Sequence, residues 1–121
     1  MSYSINFKSL YNHLKTSGFD VYSMGQHKGE CKEPYLVLKA RGSDLRYSVS
    51  DRLYEILMYY PASKYSAFPD YIDTVKEAMR PLFPHCRMAS DESEHYLDDD
   101  KKAYMSSLLY RAPVVAHYIH N

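Results

Sequence analysis

Hydrophobic positions along the chain fall into two periods. Phe7, Leu10, Tyr11 and Leu14 recur at the i, i+3, i+4, i+7 spacing of one helix face. Ser4 stands where a cap is wanted before that helix, and Gly18 where a left-handed residue ends one. Phe68, Ile72, Val75 and Met79 draw a second stripe, with Tyr71 and Ala78 beside it. Asp70 and Asp73 in its first turns and Lys76 and Arg80 near its end suit the helix dipole, and Pro81 and Pro84 close it. Elsewhere the apolar runs shorten. Residues 19–24, 35–40, 86–89 and 103–111 each read as a strand rich in residues that favour extended backbone. Along 53–60 nearly every side chain is large and apolar, which predicts a central strand covered on both faces, with Glu55 near an edge or a partner and Pro61 as its stop. Residues 25–34 and 90–100 are polar loops, 41–44 a turn, and Pro113 interrupts the last strand, leaving 113–121 as a C-terminal tail.

The resulting order is helix, three strands, helix, two strands. Helices and strands are segregated rather than alternating, which predicts an α+β fold: a mixed or largely antiparallel sheet of about four to five strands with two helices packed on one face. A length of 121 residues fits one domain.

Composition narrows the function classes. Hydrophobic residues make up 45% and charged residues 25%, as in ordinary globular proteins. Fifteen basic residues balance 15 acidic ones, so the clustered positive charge that nucleic-acid binding needs is missing, and a net charge of zero favours association. No apolar run approaches the ~20 residues of a spanning helix, and the N-terminus lacks a basic stretch followed by an apolar one. The expectation is a protein that stays in the cytosol or leaves it by a route other than secretion. Cys31 and Cys86 are too few for a disulfide framework and read as free thiols. The outlier is tyrosine, with 14 copies and no tryptophan. Its rigid apolar ring and polar tip suit protein interfaces, and it also suits β-strands.

Candidate chemistry is sparse. Asp20 with Glu30-Cys31-Lys32 has the spacing of some metal-dependent nucleases, but the Glu and Lys lie in a glycine-flanked loop rather than on one strand beside the first acid. His27, Cys31, His85 and Cys86 are zinc-ligand types without paired spacing, and adjacent His85 and Cys86 suit tetrahedral geometry badly. Asp91, Glu92, Glu94, Asp98, Asp99 and Asp100 lack the alternation and turn glycine of a calcium loop, and read as a solvated loop or a face for a basic partner. Tyrosines among Arg41, Arg46 and Arg52 offer stacking for single-stranded nucleic acid, against the balanced charge. There is no phosphate-binding glycine loop and no nucleophile elbow. Catalytic, cofactor and metal residues are therefore expected to be absent.

One family shares the pattern. The first helix ending at Gly18, the segment Gln26-His27-Lys28-Gly29-Glu30-Cys31-Lys32-Glu33-Pro34-Tyr35-Leu36-Val37-Leu38-Lys39, the Tyr/Leu strand ending at Pro61, the helix over 71–79 and Tyr96-Leu97-Asp98-Asp99-Asp100-Lys101-Lys102-Ala103-Tyr104-Met105-Ser106-Ser107 together resemble the tail-completion, or tail-terminator, proteins of tailed bacteriophages and prophage-derived tail particles. The resemblance covers about residues 3–112 and lies in pattern and architecture, not in a catalytic signature.

The resemblance implies a virion structural protein with no catalytic residues. It would be a homo-oligomeric ring, taken as a hexamer, that caps the head-proximal end of the tail tube, halts tube growth and meets the head connector. Its partners would then be itself, the tail tube protein and a connector or neck protein, with neither membrane nor sequence-specific nucleic acid. Its place would be the neck end of the virion tail, assembled in the host bacterial cytoplasm. A closed ring needs a head-to-tail contact with aromatic and arginine anchors, for which Tyr47, Arg52, Tyr54, Tyr96, Tyr104 and Tyr110 are the candidates. The loops at 25–34 and 90–100 are candidates to order on meeting the tube or connector. The alternatives are a neighbouring neck or head-completion protein, the metal-dependent nuclease, and a host-side binding module.

Overall fold

The structure is a computed structural model that describes residues 5–27, 29–46 and 49–114. Helix α1, Phe7–Thr16, is capped by Asn6, whose side chain accepts from the Ser9 N–H at 2.8 Å while the Ser9 hydroxyl accepts from the Asn6 N–H at 3.0 Å. This reciprocal box satisfies two of the amides that a helix start leaves orphaned. Ser4, the expected cap, lies outside the described residues. At the other end Gly18 has φ 101°, the N–H of Phe19 bonds to the Leu14 carbonyl at 3.2 Å and that of Gly18 to Lys15 at 3.0 Å. That is the Schellman closure, which asks for a residue without a Cβ at this position.

Six strands make one mixed sheet: β1, Val21–Ser23; β2, Tyr35–Arg46; β3, Val49–Pro61; β4, Arg87–Ser90; β5, Tyr96–Asp98; and β6, Ala103–Pro113. They run in the order β1-β2-β3-β6-β4, with β5 also paired to β6. Among the described strands only the β1–β2 pair is parallel. Helix α2, Phe68–Met79, follows β3 through the 3-10 segment Ala62–Ala67, and a second such segment, Arg80–Leu82, leads out of it. The α+β expectation holds, with one strand more than the upper count. That extra strand, β5, lies inside the 90–100 loop.

Both helices pack on one face of the sheet. Leu10 and Leu14 from α1 and Phe68, Ile72, Val75 and Met79 from α2 share one buried cluster with Leu36, Leu38, Ile56, Met58 and Leu108. Each such side chain removed from water contributes about 1.5–3 kcal/mol. The opposite face is only partly covered. Around Tyr35 and Tyr59 a smaller cluster forms with Cys31, Ala103 and Met105, while Leu53 and Leu57 stay half-buried. The central strand β3 is thus not sealed on both sides.

Two boundaries also move. The 41–44 turn is instead a continuation of β2, whose register shifts between Ala40 and Ser43. Gly42, at φ 87°, supplies the left-handed residue such an irregularity uses. Pro113 is the last residue of β6, paired with Asp51, and the Val114 N–H bonds to the Ser50 carbonyl at 2.9 Å. A proline fits there because a strand's final position has no ladder bond to donate onward. The tail beyond, 115–121, lies outside the described residues.

Candidate functional site

The groups that metal chemistry would need are held apart and engaged elsewhere. Asp20 accepts from the Tyr22 hydroxyl at 3.1 Å, whereas Glu30 pairs with Lys102 at 3.5 Å. Cys31 is buried with its Sγ 3.2 Å from the Glu33 carbonyl, and burial pushes its thiol up to about 11. Cys86 is buried in the main cluster, and its thiol is pushed up to about 12 for the same reason. Neither is a reactive thiolate at neutral pH. The His27 ring stacks on Tyr35 with centroids 3.8 Å apart, and burial lowers its pKa. Among the described residues no group of three or more His, Cys, Asp or Glu is placed to hold a metal ion, and no helix is long and apolar enough to cross a membrane.

The most distinctive surface is the sheet edge beside β6. β4 lies along the C-terminal half of β6, with Arg87 opposite Arg111 and Met88 opposite Tyr110. β5 lies along its N-terminal half, with Tyr96 opposite Met105 and Asp98 opposite Ala103. Between them the Ser93 N–H bonds to the Ser107 carbonyl at 2.9 Å, and the Ser106 hydroxyl donates to the Ser93 carbonyl at 2.7 Å. Residues 87–98 therefore form one interrupted edge strand. No described strand pairs with its outer side.

A chain of polar contacts ties this edge to α2. Lys76 reaches Asp91 at 2.8 Å and Glu92 at 2.9 Å, Glu92 meets His95 at 2.9 Å, and Tyr65 completes the chain to His95 at 2.9 Å. Hydrogen bonds from Lys76 hold both carboxyls below their usual range, and those carboxylates hold the ammonium above its own. At the far end of the edge Arg111 is held by Asp51 at 2.6 Å and by Asp44 at 3.4 Å. Arg87, directly across from it, has no partner among the described residues.

Six large hydrophobic side chains among the described residues are exposed, and four of them gather at this edge: Phe83 at 64%, Met88 at 40%, Tyr96 at 51% and Leu97 at 47%. Phe83 and Met88 border an open cleft of about 310 Å³ whose lining includes Met79, Cys86 and Tyr110, with Arg80 and Arg87 also around it.

The six interface candidates divide. Tyr96 is exposed on β5, and Arg52 is exposed on β3 with no side-chain partner among the described residues. Tyr104 is half-buried, its ring 4.4 Å from that of Tyr65. Tyr54 and Tyr110 are corrected: they are 3% and 4% exposed, stand opposite one another on β3 and β6, and belong to the core beneath the helices. So little exposed area leaves either ring little to offer a partner directly, although Tyr110 lines the cleft. Tyr47 lies outside the described residues. Phe83, Met88 and Leu97 were not among the candidates, although Phe83 between two prolines and Leu97 before three aspartates are sequence positions where an apolar side chain has no stripe to join.

No protein-family model matches the chain, and no curated protein matches it.

Proposed function

We propose that this protein is a non-enzymatic assembly subunit, and, following its resemblance to tail-terminator proteins, that it forms a ring at the head-proximal end of a phage-type tail tube. There it stops tube growth and provides the joint to the head connector. The observation that carries the reading is the sheet edge formed by residues 87–98, where Phe83, Met88, Tyr96 and Leu97 stand exposed and no described strand pairs with the outer side. The short, bulged and charged strands of this edge limit backbone pairing, so the exposed apolar side chains are what offer a contact to another molecule. The dispersal of Asp20, Glu30 and the two buried thiols supports contact rather than chemistry as the protein's work. Ring contacts in this reading use Arg52 and Tyr96, the candidates left at the surface, with the half-buried Tyr104 behind them.

The test is the native mass of the purified protein, electron microscopy for rings, and its addition to polymerising tail tube protein from the same genome. Closed rings and tubes of arrested length are the expected result. A protein that forms no ring and leaves tube length unchanged overturns the reading.

A further inference from the structure

The edge strand of residues 87–98 is two-sided in charge. Its first end carries the unpaired Arg87, while Arg80 of the preceding turn, around the same cleft, is paired with Glu77 at 3.0 Å. Its last end carries Asp98 and runs into Asp99 and Asp100, none of which has an ion-pair partner among the described residues. Of the acids in the middle, Asp91 and Glu92 share Lys76, while Glu94 is exposed with no ion-pair partner among the described residues. Each end also has two exposed apolar side chains, Phe83 and Met88 at the basic end and Tyr96 and Leu97 at the acidic end. One strand edge thus presents two patches of opposite sign and similar apolar content, about 20 Å apart for the six residues of β6 that separate Tyr110 from Tyr104, at about 3.3 Å each.

We propose that a second copy of this chain pairs antiparallel with this edge about a two-fold axis passing by Ser93 and Ser107. The register on β6 makes the proposal specific. Counting along β6 from Ser107, Arg87 lies beside Arg111 and Asp98 beside Ala103, equal distances on either side. Met88 beside Tyr110 and Leu97 beside Tyr104 are likewise equidistant, as are Ser90 beside Leu109 and Tyr96 beside Met105. A two-fold at Ser107 therefore sets Arg87 against Asp98, Met88 against Leu97 and Ser90 against Tyr96, each twice.

The faces agree as well. Residues paired across strands share a face of the sheet. Met88 and Leu97, paired with Tyr110 and Tyr104, lie on the helix face, and Arg87 and Asp98, paired with Arg111 and Ala103, on the other. An axis normal to the sheet keeps the faces together, so charge meets charge on one side and apolar meets apolar on the other. The contact also gives Arg87 the carboxylate that Arg111, opposite it, already has in Asp51 and Asp44. It is isologous and closes at two copies, so it and the head-to-tail contact of a ring are alternative uses of this edge and of Tyr96. It does not rest on the tail-terminator reading.

The experiment is a charge swap read by analytical ultracentrifugation at low salt, where such pairs are least screened. In a two-fold contact each reversal is felt twice. Arg87→Glu alone should set two acidic pairs face to face and weaken self-association at least about ten-fold, and Asp98→Arg alone should do the same with two basic pairs. Because Asp98 also accepts from the Lys101 N–H in its turn, Asp98→Asn, which keeps an acceptor there, serves as a neutral variant that should weaken association less than the reversal does. An equimolar mixture of Arg87→Glu with Asp98→Arg should restore association and stop at a heterodimer, since both contacts are then opposite in sign. A wild-type protein that stays monomeric at millimolar concentration overturns the proposal, as does association indifferent to both reversals or a mixture that fails to recover. Wild-type rings that survive both reversals overturn this contact while leaving the ring reading intact.

Discussion

Tyr54 and Tyr96 are chemically identical side chains with opposite expected roles, and replacing each by alanine separates core from surface. Tyr54 is 3% exposed, faces Tyr110 across the β3–β6 pair and sits in the cluster with Ile56, Met58 and Leu108. Removing its ring loses the transfer free energy of a nearly fully buried aromatic and leaves a cavity in the core shared by the helices and the sheet. Aromatic-to-alanine changes in such positions cost about 3–5 kcal/mol. At ~0.05–0.15 kcal/mol per residue, a chain of 121 residues has a total stability of about 6–18 kcal/mol, so this one change removes a large part of it. Urea denaturation followed by far-UV circular dichroism, at a protein concentration low enough to keep copies apart, measures the loss. With a slope of about 2 kcal/mol per molar urea, a loss of ~4 kcal/mol lowers the midpoint by about 2 M. Tyr96→Ala, at an exposed position, should move it by less than ~0.5 kcal/mol in equivalent stability. Equal shifts for the two variants, or a larger one for Tyr96, would refute the placement of Tyr54 in the core.

Two further outcomes follow from the ion pairs. Arg111→Met leaves the Asp51 carboxylate, whose side chain is 8% exposed, without its closest cation and should cost about 3 kcal/mol, whereas adding Asp51→Leu should recover at least half of that; a single-variant cost below ~1 kcal/mol in urea titrations would remove the pair from the stability account. The Lys76 clasp should be worth about 0.5–1 kcal/mol at neutral pH, because Asp91 is largely exposed and Lys76 and Glu92 are still reached by solvent. Asp91 and Glu92 have lowered folded pKa values, so this stabilisation is fully present above their unfolded values of 3.8 and 4.5 and is lost as pH falls through the lower folded ones. The stability difference between wild type and Lys76→Met should therefore hold from pH 7 to about pH 5 and then shrink; a difference that grows on acidification contradicts it.

Helix α2 was legible because its four apolar positions complete a full stripe, and all four are buried. The cap of α1 was read two residues early because Ser4 and Asn6 are both good capping residues. What distinguishes Asn6 is Ser9 three positions on, a weaker partner than the glutamate usually sought there. β5 escaped because three residues among aspartates show no period, and it exists only by pairing with β6. The bulge at Gly42 looked like a turn since both use a left-handed glycine. Tyrosine identity alone could not sort core from surface, because its ring serves both. Parity could have done so in part: Tyr54, Ile56 and Met58 alternate on one face of β3, and Leu108, Tyr110 and Ala112 on one face of β6. The acidic end of the edge was visible in sequence. Its basic counterpart was not, because Arg80, Phe83 and Arg87 come together only through the fold around Pro81 and Pro84.

The position of β6 bears on how the chain is made. This strand is synthesised after all five others, yet it lies between β3 and the β4–β5 segment and joins them into one sheet. Until residues 103–113 have left the ribosome, β3 has one bare flank and the segment from Arg87 to Asp98 has no strand to lie against. The β2–β3 hairpin and its helices can gather early through local contacts, but completion waits for a strand about 50 residues downstream of β3, a closure that slows folding. During translation the exposed flank of β3 is the part of the nascent protein most in need of shelter.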